Sequence, residues 1–217
     1  MLTVPMTTDN LHPIRKPDIP AAVDALIDSF QDDPLWNVVF RDDPNEDRSR
    51  RAFFECPLRY GLTYGEVYAS SPALEGIVVW VPGRRSDMSV WRMLRCGALR
   101  AAIGMGKESV RRLKILSDTV VPDRKRHMNG RAYSYVMVIG VRTAHQGKGI
   151  GSRLMKVITA ECDAAGTPLY LETETEANVP FYEKHGFKVI ERVTLPGLEL
   201  PMWEMVREPH VESVRKS

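Results

Sequence analysis

Glycine occupies every second position from 147 to 151 in the stretch HQGKGIGSRL (residues 145–154), where a helix is predicted to begin. Because glycine inside a helix costs about 0.5–1 kcal/mol relative to alanine, three glycines at this point need a reason. Backbone N–H groups at a helix start are unpaired and partly positive, and residues without a Cβ let an anion approach them closely. Ser152 adds a hydroxyl group, and Lys148 and Arg153 add positive charge. The stretch therefore predicts a phosphate-binding loop.

The spacing of the glycines distinguishes among the known phosphate-binding loops. A Walker loop would need Ser or Thr after Lys148, where Gly149 stands. A dinucleotide-binding fingerprint has the spacing GxGxxG, whereas these glycines are spaced GxGxG. The pattern Q/RxxGxG/A, which binds the pyrophosphate of acyl-coenzyme A, is matched in full by residues 146–151.

The elements that must position this loop follow from the apolar periodicity and the turn signals. The first half of the chain predicts helices near residues 18–30, 32–40 and 48–65, with Asp32 or Asp33 as a start signal for the second. A strand hairpin follows at 65–83, and then one or two helices between 86 and 121, with a weak point at Gly104–Gly106. The second half predicts the order β-α-β-α-β-β, with Gly166 ending the first of these helices.

Composition narrows the class of protein. The chain has 217 residues, 43% of them hydrophobic, and a formal net charge of only +2, which predicts no binding to nucleic acid. Cys56, Cys96 and Cys162 are too widely spaced for a zinc site or a disulfide framework. This cysteine pattern fits a reducing cytoplasm, where we expect the protein to be located. No apolar run approaches the roughly 20 residues that span a bilayer, so we expect no membrane association. Residues 84–131 hold thirteen basic and four acidic residues, a pattern that usually marks a solvated helix face. The alternatives are attraction of a phosphorylated cofactor or of an acidic partner.

Two segments carry a resemblance to a known family. IGVRTAHQGKGIGSRL (139–154) and NVPFYEKHGF (178–187) resemble two signature motifs of the GNAT superfamily of acyl-CoA-dependent N-acyltransferases. More narrowly, GEVYAS, VVWVP and LETE are similar to segments of puromycin N-acetyltransferases. The resemblance implies one α/β domain, with a mixed, mostly antiparallel central sheet flanked by helices and an extra helical segment before the core strand. We expect loose ends at 1–14 and 209–217, a helical segment near the acceptor at 84–130, and an acetyl-CoA-binding core at 131–192.

The same resemblance implies acetyl-CoA as the co-substrate, with no metal ion. The main chain of the strand at 139–141 would hold the pantetheine arm, and the glycine loop would hold the pyrophosphate. The expected cofactor-binding residues are Ile139, Gly140, Val141, Gln146, Gly147, Lys148, Gly149, Ile150, Gly151, Ser152 and Asn178. We expect Asn178 also to cap the helix that follows it.

Transfer of an acetyl group to an amine also needs a proton donor for the thiolate and a group that receives the amine. The resemblance implies Tyr182 as the donor, since a phenol with an ordinary pKa of about 10 stays protonated at neutral pH. It implies Glu172 as the group that binds the ammonium or helps to deprotonate it. Glu174 and Glu176 are expected to be exposed to solvent.

The acceptor side is less defined by the sequence. His127 is expected to make a structural hydrogen bond or to line the acceptor cleft, and Trp36, Trp80 and Tyr64 are core residues or members of an apolar acceptor pocket. Three functions remain open, of which we favour acetylation of a small-molecule primary amine by a monomer or homodimer. The others are acetylation of a protein or peptide, at a lysine or an N-terminus, and non-catalytic sensing of acyl-CoA.

Overall fold

Seven strands form one sheet in the computed structural model, which describes residues 7–99, 103 and 105–210. The strand order is β1-β2-β3-β4-β5-β7-β6, and every neighbouring pair is antiparallel except β4 and β5. The strands are His12–Pro13 (β1), Glu66–Ala69 (β2), Gly76–Pro82 (β3), Ser134–Val141 (β4), Leu169–Thr173 (β5), Lys188–Leu195 (β6) and Leu200–Arg207 (β7).

Helices flank the sheet on both faces. They are Ile19–Ser29 (α1), Pro34–Val39 (α2), Glu46–Tyr64 (α3), Val90–Cys96 (α4), Lys107–Met128 (α5), Ile150–Ala165 (α6) and Val179–Lys184 (α7). Their ends have local causes: the Asp33 carboxylate accepts hydrogen bonds from the first amides of α2, and α6 ends at Gly166 in the left-handed conformation.

Two apolar clusters hold these layers together. Alternate residues of β3 point to opposite faces of the sheet, so that Ile77 and Val79 belong to the cluster formed with α1, α2 and α3. Val78 and Trp80 belong to the second cluster, which α6 covers with residues such as Leu154 and Ile158. Because both faces are covered, six successive residues of β3 are buried.

The sheet opens between its two parallel strands. β4 pairs with β5 only at Ser134 and Tyr135, whereas its other edge pairs with β3 as far as Val141. A register shift opposite Val79 and Trp80 places a bulge in β4 at Met137, and bulges re-aim strands and are frequent beside active sites. The edge of β4 that follows this point therefore faces a gap in the sheet. At the end of this edge, the carbonyl of Val141 accepts a hydrogen bond of 3.1 Å from Nε2 of Gln146.

The predicted fold class, the hairpin and the order β-α-β-α-β-β are all confirmed. The expected loose end at 1–14 is not seen in residues 7–14, because β1 pairs with β2 and the side chains of Leu11 and Ile14 are buried. Of the predicted weak point, Gly106 precedes α5, and Gly104 lies outside the described residues. None of the described helices combines the length and the apolar character needed to cross a bilayer.

Candidate active site

A groove of about 600 Å³ runs from the open edge of β4 to the start of α6. It is lined by Ile139, Gly140 and Val141 of β4, and by Gln146 and glycines of the loop. Gly147 and Gly149 have φ values of 73° and 79°, which L side chains rarely adopt, and a Cβ at either position would enter open space. The amides of the loop are thus accessible from the groove, as an incoming pyrophosphate requires.

The position of the glycines differs from the expectation in one respect. α6 begins at Ile150, so Gly147 and Gly149 precede the helix, and only Gly151 lies within its first turn. Gly147 and Gly149 are explained by their left-handed backbone conformation and by the open space that lets an anion approach the loop. The free-energy cost of a glycine inside a helix applies to Gly151 alone. The Ser152 hydroxyl at the start of α6 is 3.1 Å from Nε2 of His185 at the end of α7, which ties the two helices together beside the groove.

Two of the expected cofactor-binding residues differ from the others. Lys148 does not line the groove, and its Nζ donates a hydrogen bond of 2.8 Å to the carbonyl of Ala144. Asn178 does line the groove but makes no capping hydrogen bond to α7, so the predicted capping role is wrong. Its side-chain amide instead lies 3.4 Å from the hydroxyl of Thr173, at the end of β5.

A second cavity, of about 350 Å³, lies on the other side of the opened strands. Its wall includes Met137 and Val138 of β4, which come directly before the groove residue Ile139, and Glu174, which comes directly before the groove residue Thr175. The two spaces approach each other where β4 and β5 separate, because the charge of Glu174 in the cavity wall acts on the hydroxyl of Tyr182 in the groove. Residues of α2, α3, α4 and α5 complete the cavity, and most of its wall is apolar.

Glu172 lines this cavity, but its carboxylate is already paired. Oε1 of Glu172 is 2.7 Å from Nη1 of Arg124, and both side chains are almost completely buried. Arg124 also donates to the carbonyl of Ser86 and stacks its guanidinium 3.9 Å from the ring centre of Tyr135. Burial would lower the pKa of the Arg124 guanidinium, but Tyr135 and Glu172 raise it above its ordinary value. Arg124 is a site residue that the sequence analysis missed.

Glu174 was expected to be exposed, and this expectation is wrong: the side chain is partly buried where the two spaces meet. Desolvation raises the pKa of its carboxyl group to about 8, with further contributions from the negative charges of Asp33 and Glu172. Burial also raises the pKa of the Asp33 carboxyl group. The hydrogen bonds that it accepts from the amides of Trp36 and Leu35 lower this pKa, but burial has the larger effect. A carboxyl group with a pKa near neutrality is suited to accept and release a proton under ordinary conditions.

Tyr182 lies in α7 on the groove side of this junction, and its side chain is 8% exposed. Burial raises the pKa of its hydroxyl group, and the charges of Glu174 and Asp33 raise it further. The phenol therefore stays protonated at neutral pH. Its ring is held by edge-to-face contacts with Phe181 and Phe187, at centroid distances of 5.2 Å and 5.8 Å.

The aromatic residues that were candidates for an acceptor pocket lie in different parts of the structure. Trp36 lines the second cavity, whereas Trp80 and Tyr64 line a different pocket near the β2–β3 hairpin. His127 lines neither space: its Nε2 lies 2.8 Å from carboxylate oxygens of Glu191 and Glu204. These three side chains include ligand types suited to a divalent cation, but they lie outside the groove and the cavity.

The basic run at 84–131 has several separate uses. Arg92, Arg111, Lys114, Arg126 and Arg131 pair with nearby carboxylates. Arg112 donates to the carbonyls of Val38 and Arg41 at the end of α2, and Arg124 enters the cavity wall. The run therefore combines a solvated face with structural contacts that hold α5 over the cavity.

Comparison with known proteins agrees with this geometry. Residues 120–189 match the model of the acetyltransferase (GNAT) domain. An uncharacterized N-acetyltransferase of Schizosaccharomyces pombe is 30% identical over 214 residues, which cover 92% of this chain and 83% of the relative. The chain therefore belongs to the GNAT family of N-acetyltransferases and is an acetyltransferase. Members of this family typically use acetyl-CoA.

Solved structures share the fold at low sequence identity. One, described as histone acetyltransferase HPA2 and related acetyltransferase from Corynebacterium glutamicum, aligns with a TM-score of 0.67 and 17% identity, over 94% of this chain and 98% of that one. The Drosophila melanogaster polyamine N-acetyltransferase, which forms N-acetylagmatine, aligns with a TM-score of 0.62 and 14% identity, over 91% and 98%. At such identities the likeness concerns the fold alone.

Proposed function

We propose that this protein transfers an acetyl group from acetyl-CoA directly to the primary amine of a small molecule. The observation that carries the proposal is the junction at Glu174 and Tyr182, where a groove suited to the donor meets a separate, mostly apolar cavity of about 350 Å³. That volume falls in the range of small-molecule sites, roughly 300–1,000 Å³.

The donor side rests on the free edge of β4 and on the glycine loop. Main-chain groups of Ile139 and Val141 would bind the pantetheine arm, as an added strand would be bound. Gly147, Gly149 and the first amides of α6 would bind the pyrophosphate, because these positions are open and partly positive. When bound, acetyl-CoA supplies a thioester whose carbonyl carbon accepts the amine nitrogen.

The acceptor side rests on Glu174. As a carboxylate it would bind the acceptor's ammonium group and take the proton that makes the nitrogen nucleophilic. The nitrogen–carbon bond forms and the carbon–sulfur bond breaks, and the hydroxyl of Tyr182 would donate a proton to the departing thiolate. The second proton that the nitrogen loses restores the phenol, and the proton taken by Glu174 is released to water, which leaves an N-acetylated amine and free coenzyme A. In this scheme Glu172 positions Tyr135 and β5 through its ion pair with Arg124.

Acetylation of basic protein tails is less well supported. Such a substrate would need an open acidic groove. The cavity wall is instead mostly apolar, with residues such as Met137, Leu113, Leu116 and Val120. Puromycin, an amine-bearing small molecule, remains one candidate acceptor on the strength of the sequence resemblance. A sensor of acyl-CoA would have no need for a carboxyl group with a pKa of about 8 beside the groove.

The test is release of free thiol from acetyl-CoA in the presence of a panel of amines, with acetyl-CoA binding measured separately by calorimetry. The panel contains alkylamines, arylalkylamines, polyamines, puromycin, aminoglycosides, amino acids and lysine peptides. Turnover with a small amine is the expected result. Turnover with peptides alone, or binding of acetyl-CoA without any turnover, would refute the proposal.

A further inference from the structure

The charges around the acceptor cavity are unequally satisfied. Four charged side chains line it, and three of them are neutralised: Arg124 pairs with Glu172, and Asp87 pairs with Arg92. Glu174 has no cationic partner within 7–99, 103 and 105–210. The cavity therefore offers one carboxylate to a ligand cation, at the end where it meets the acetyl-CoA groove.

The remaining wall would solvate a second cation poorly. Five methionines contribute to it, together with apolar residues of α3 and α5 such as Phe53, Leu113 and Val121. Methionine side chains adapt to irregular apolar shapes, and an ammonium or guanidinium group placed among them would lose its hydration without gaining a partner. This arrangement accepts an apolar body and penalises a distal charge.

We propose that the acceptor is a hydrophobic monoamine, that is, a primary amine at one end of an apolar alkyl or aryl body. The proposal rests on the function proposed above and specifies its substrate class. Glu174 holds the single ammonium group, and the methionine-rich wall holds the apolar body. Diamines, guanidino-amines such as agmatine, and lysine peptides are rejected because their second cation has no counter-charge in the cavity.

Hexylamine and cadaverine make a matched test, because they have the same number of non-hydrogen atoms and differ only in a terminal methyl or ammonium group. We expect kcat/KM for thiol release to be roughly 100-fold higher with hexylamine, as for other buried polar groups left unpaired. Phenethylamine and agmatine extend the comparison to an aryl body and a guanidinium group. Equal or higher kcat/KM with cadaverine or agmatine would overturn the substrate class while the proposed function still holds.

A variant at the cavity wall gives a second readout. Ser117 lines the cavity from α5 and is exposed to solvent, so Ser117→Glu adds a carboxylate with little risk to folding, and Ser117→Gln is its isosteric control. We expect Ser117→Glu to raise the cadaverine-to-hexylamine ratio of kcat/KM by about two- to fivefold relative to Ser117→Gln, the size of an exposed ion pair. An unchanged ratio would contradict the proposal. Absence of turnover with every amine, although acetyl-CoA binds, would overturn the proposed function as well.

Discussion

Replacement of Glu174 by glutamine tests the assignment of the base most directly. The substitution keeps the shape of the side chain and removes its ability to take a proton. Because a positioned general base contributes about 100- to 10,000-fold, we expect kcat to fall by that factor near pH 7. The affinity for acetyl-CoA, measured by calorimetry, is expected to change little, since Glu174 lines the acceptor cavity and not the donor groove.

The pKa of Glu174 also predicts how strongly kcat/KM of the unaltered enzyme depends on pH. A carboxyl group with a pKa of about 8 is ionised in about 1% of molecules at pH 6 and in about half at pH 8. If the carboxylate is the active form, kcat/KM rises about 50-fold across that interval and levels off above it. We expect kcat to rise at a lower pH than kcat/KM does, because the bound ammonium group of the substrate favours the ionised carboxylate.

Glu172→Gln is the matched control for this experiment. The charge of Glu172 raises the pKa of Glu174, so its removal lowers that pKa and moves the acidic limb of kcat/KM to lower pH. The liberated Arg124 guanidinium acts in the same direction. A profile that loses its acidic limb in Glu172→Gln and keeps it in Glu174→Gln would refute the reasoning and assign the base to Glu172. The assay is thiol release with a saturating acyl donor between about pH 6 and pH 9.

Three further substitutions test the rest of the site. Gly149→Val places a β-branched side chain at φ 79° beside the donor groove. We expect calorimetry to show no acetyl-CoA binding and circular dichroism to show an intact fold. The control Lys148→Ala should bind acetyl-CoA nearly normally, because the Lys148 side chain is hydrogen-bonded to the Ala144 carbonyl. Retained micromolar affinity in Gly149→Val would contradict the loop assignment. Tyr182→Phe should lower kcat much more than acetyl-CoA affinity, and an unchanged kcat would exclude it as the proton donor. Arg124→Met leaves Glu172 buried and unpaired, so the free energy of unfolding in urea should fall by about 3–5 kcal/mol, and the double variant Arg124→Met/Glu172→Gln should recover part of that loss.

Much of the fold and the donor site could be predicted from local patterns. Short-range signals determine these features: alternating apolar residues in the strands, a glycine at the end of α6, and a loop motif whose function depends on backbone geometry. The same holds for the helix start signal predicted at Asp32 or Asp33, because Asp33 does cap α2. Its second effect, on the pKa of Glu174, arises from a contact between distant segments and has no local signal.

The acceptor side was harder to predict because it is assembled by tertiary packing. Arg124 stands in a run of basic residues, and nothing in its spacing separates the buried residue from its solvated neighbours. Glu174 did have a signal: side chains two apart on a strand share a face, so in YLETE a carboxylate at 174 should accompany one at 172. The expectation that Glu174 would be exposed to solvent gave too little weight to this period of two.

The opening of the sheet explains why donor and acceptor chemistry meet at one place. Parallel pairing of β4 and β5 stops after Tyr135, and the bulge at Met137 re-aims β4 just before Ile139. One strand thus contributes Ile139, Gly140 and Val141 to the donor groove and, a residue earlier, apolar side chains to the acceptor cavity. Because β5 continues to Thr173 along the other side of the gap, Glu174 follows its last residue at the junction of both spaces. A continuous β4–β5 ladder would occupy the same main-chain groups, so the loss of sheet hydrogen bonds here is a requirement of the site.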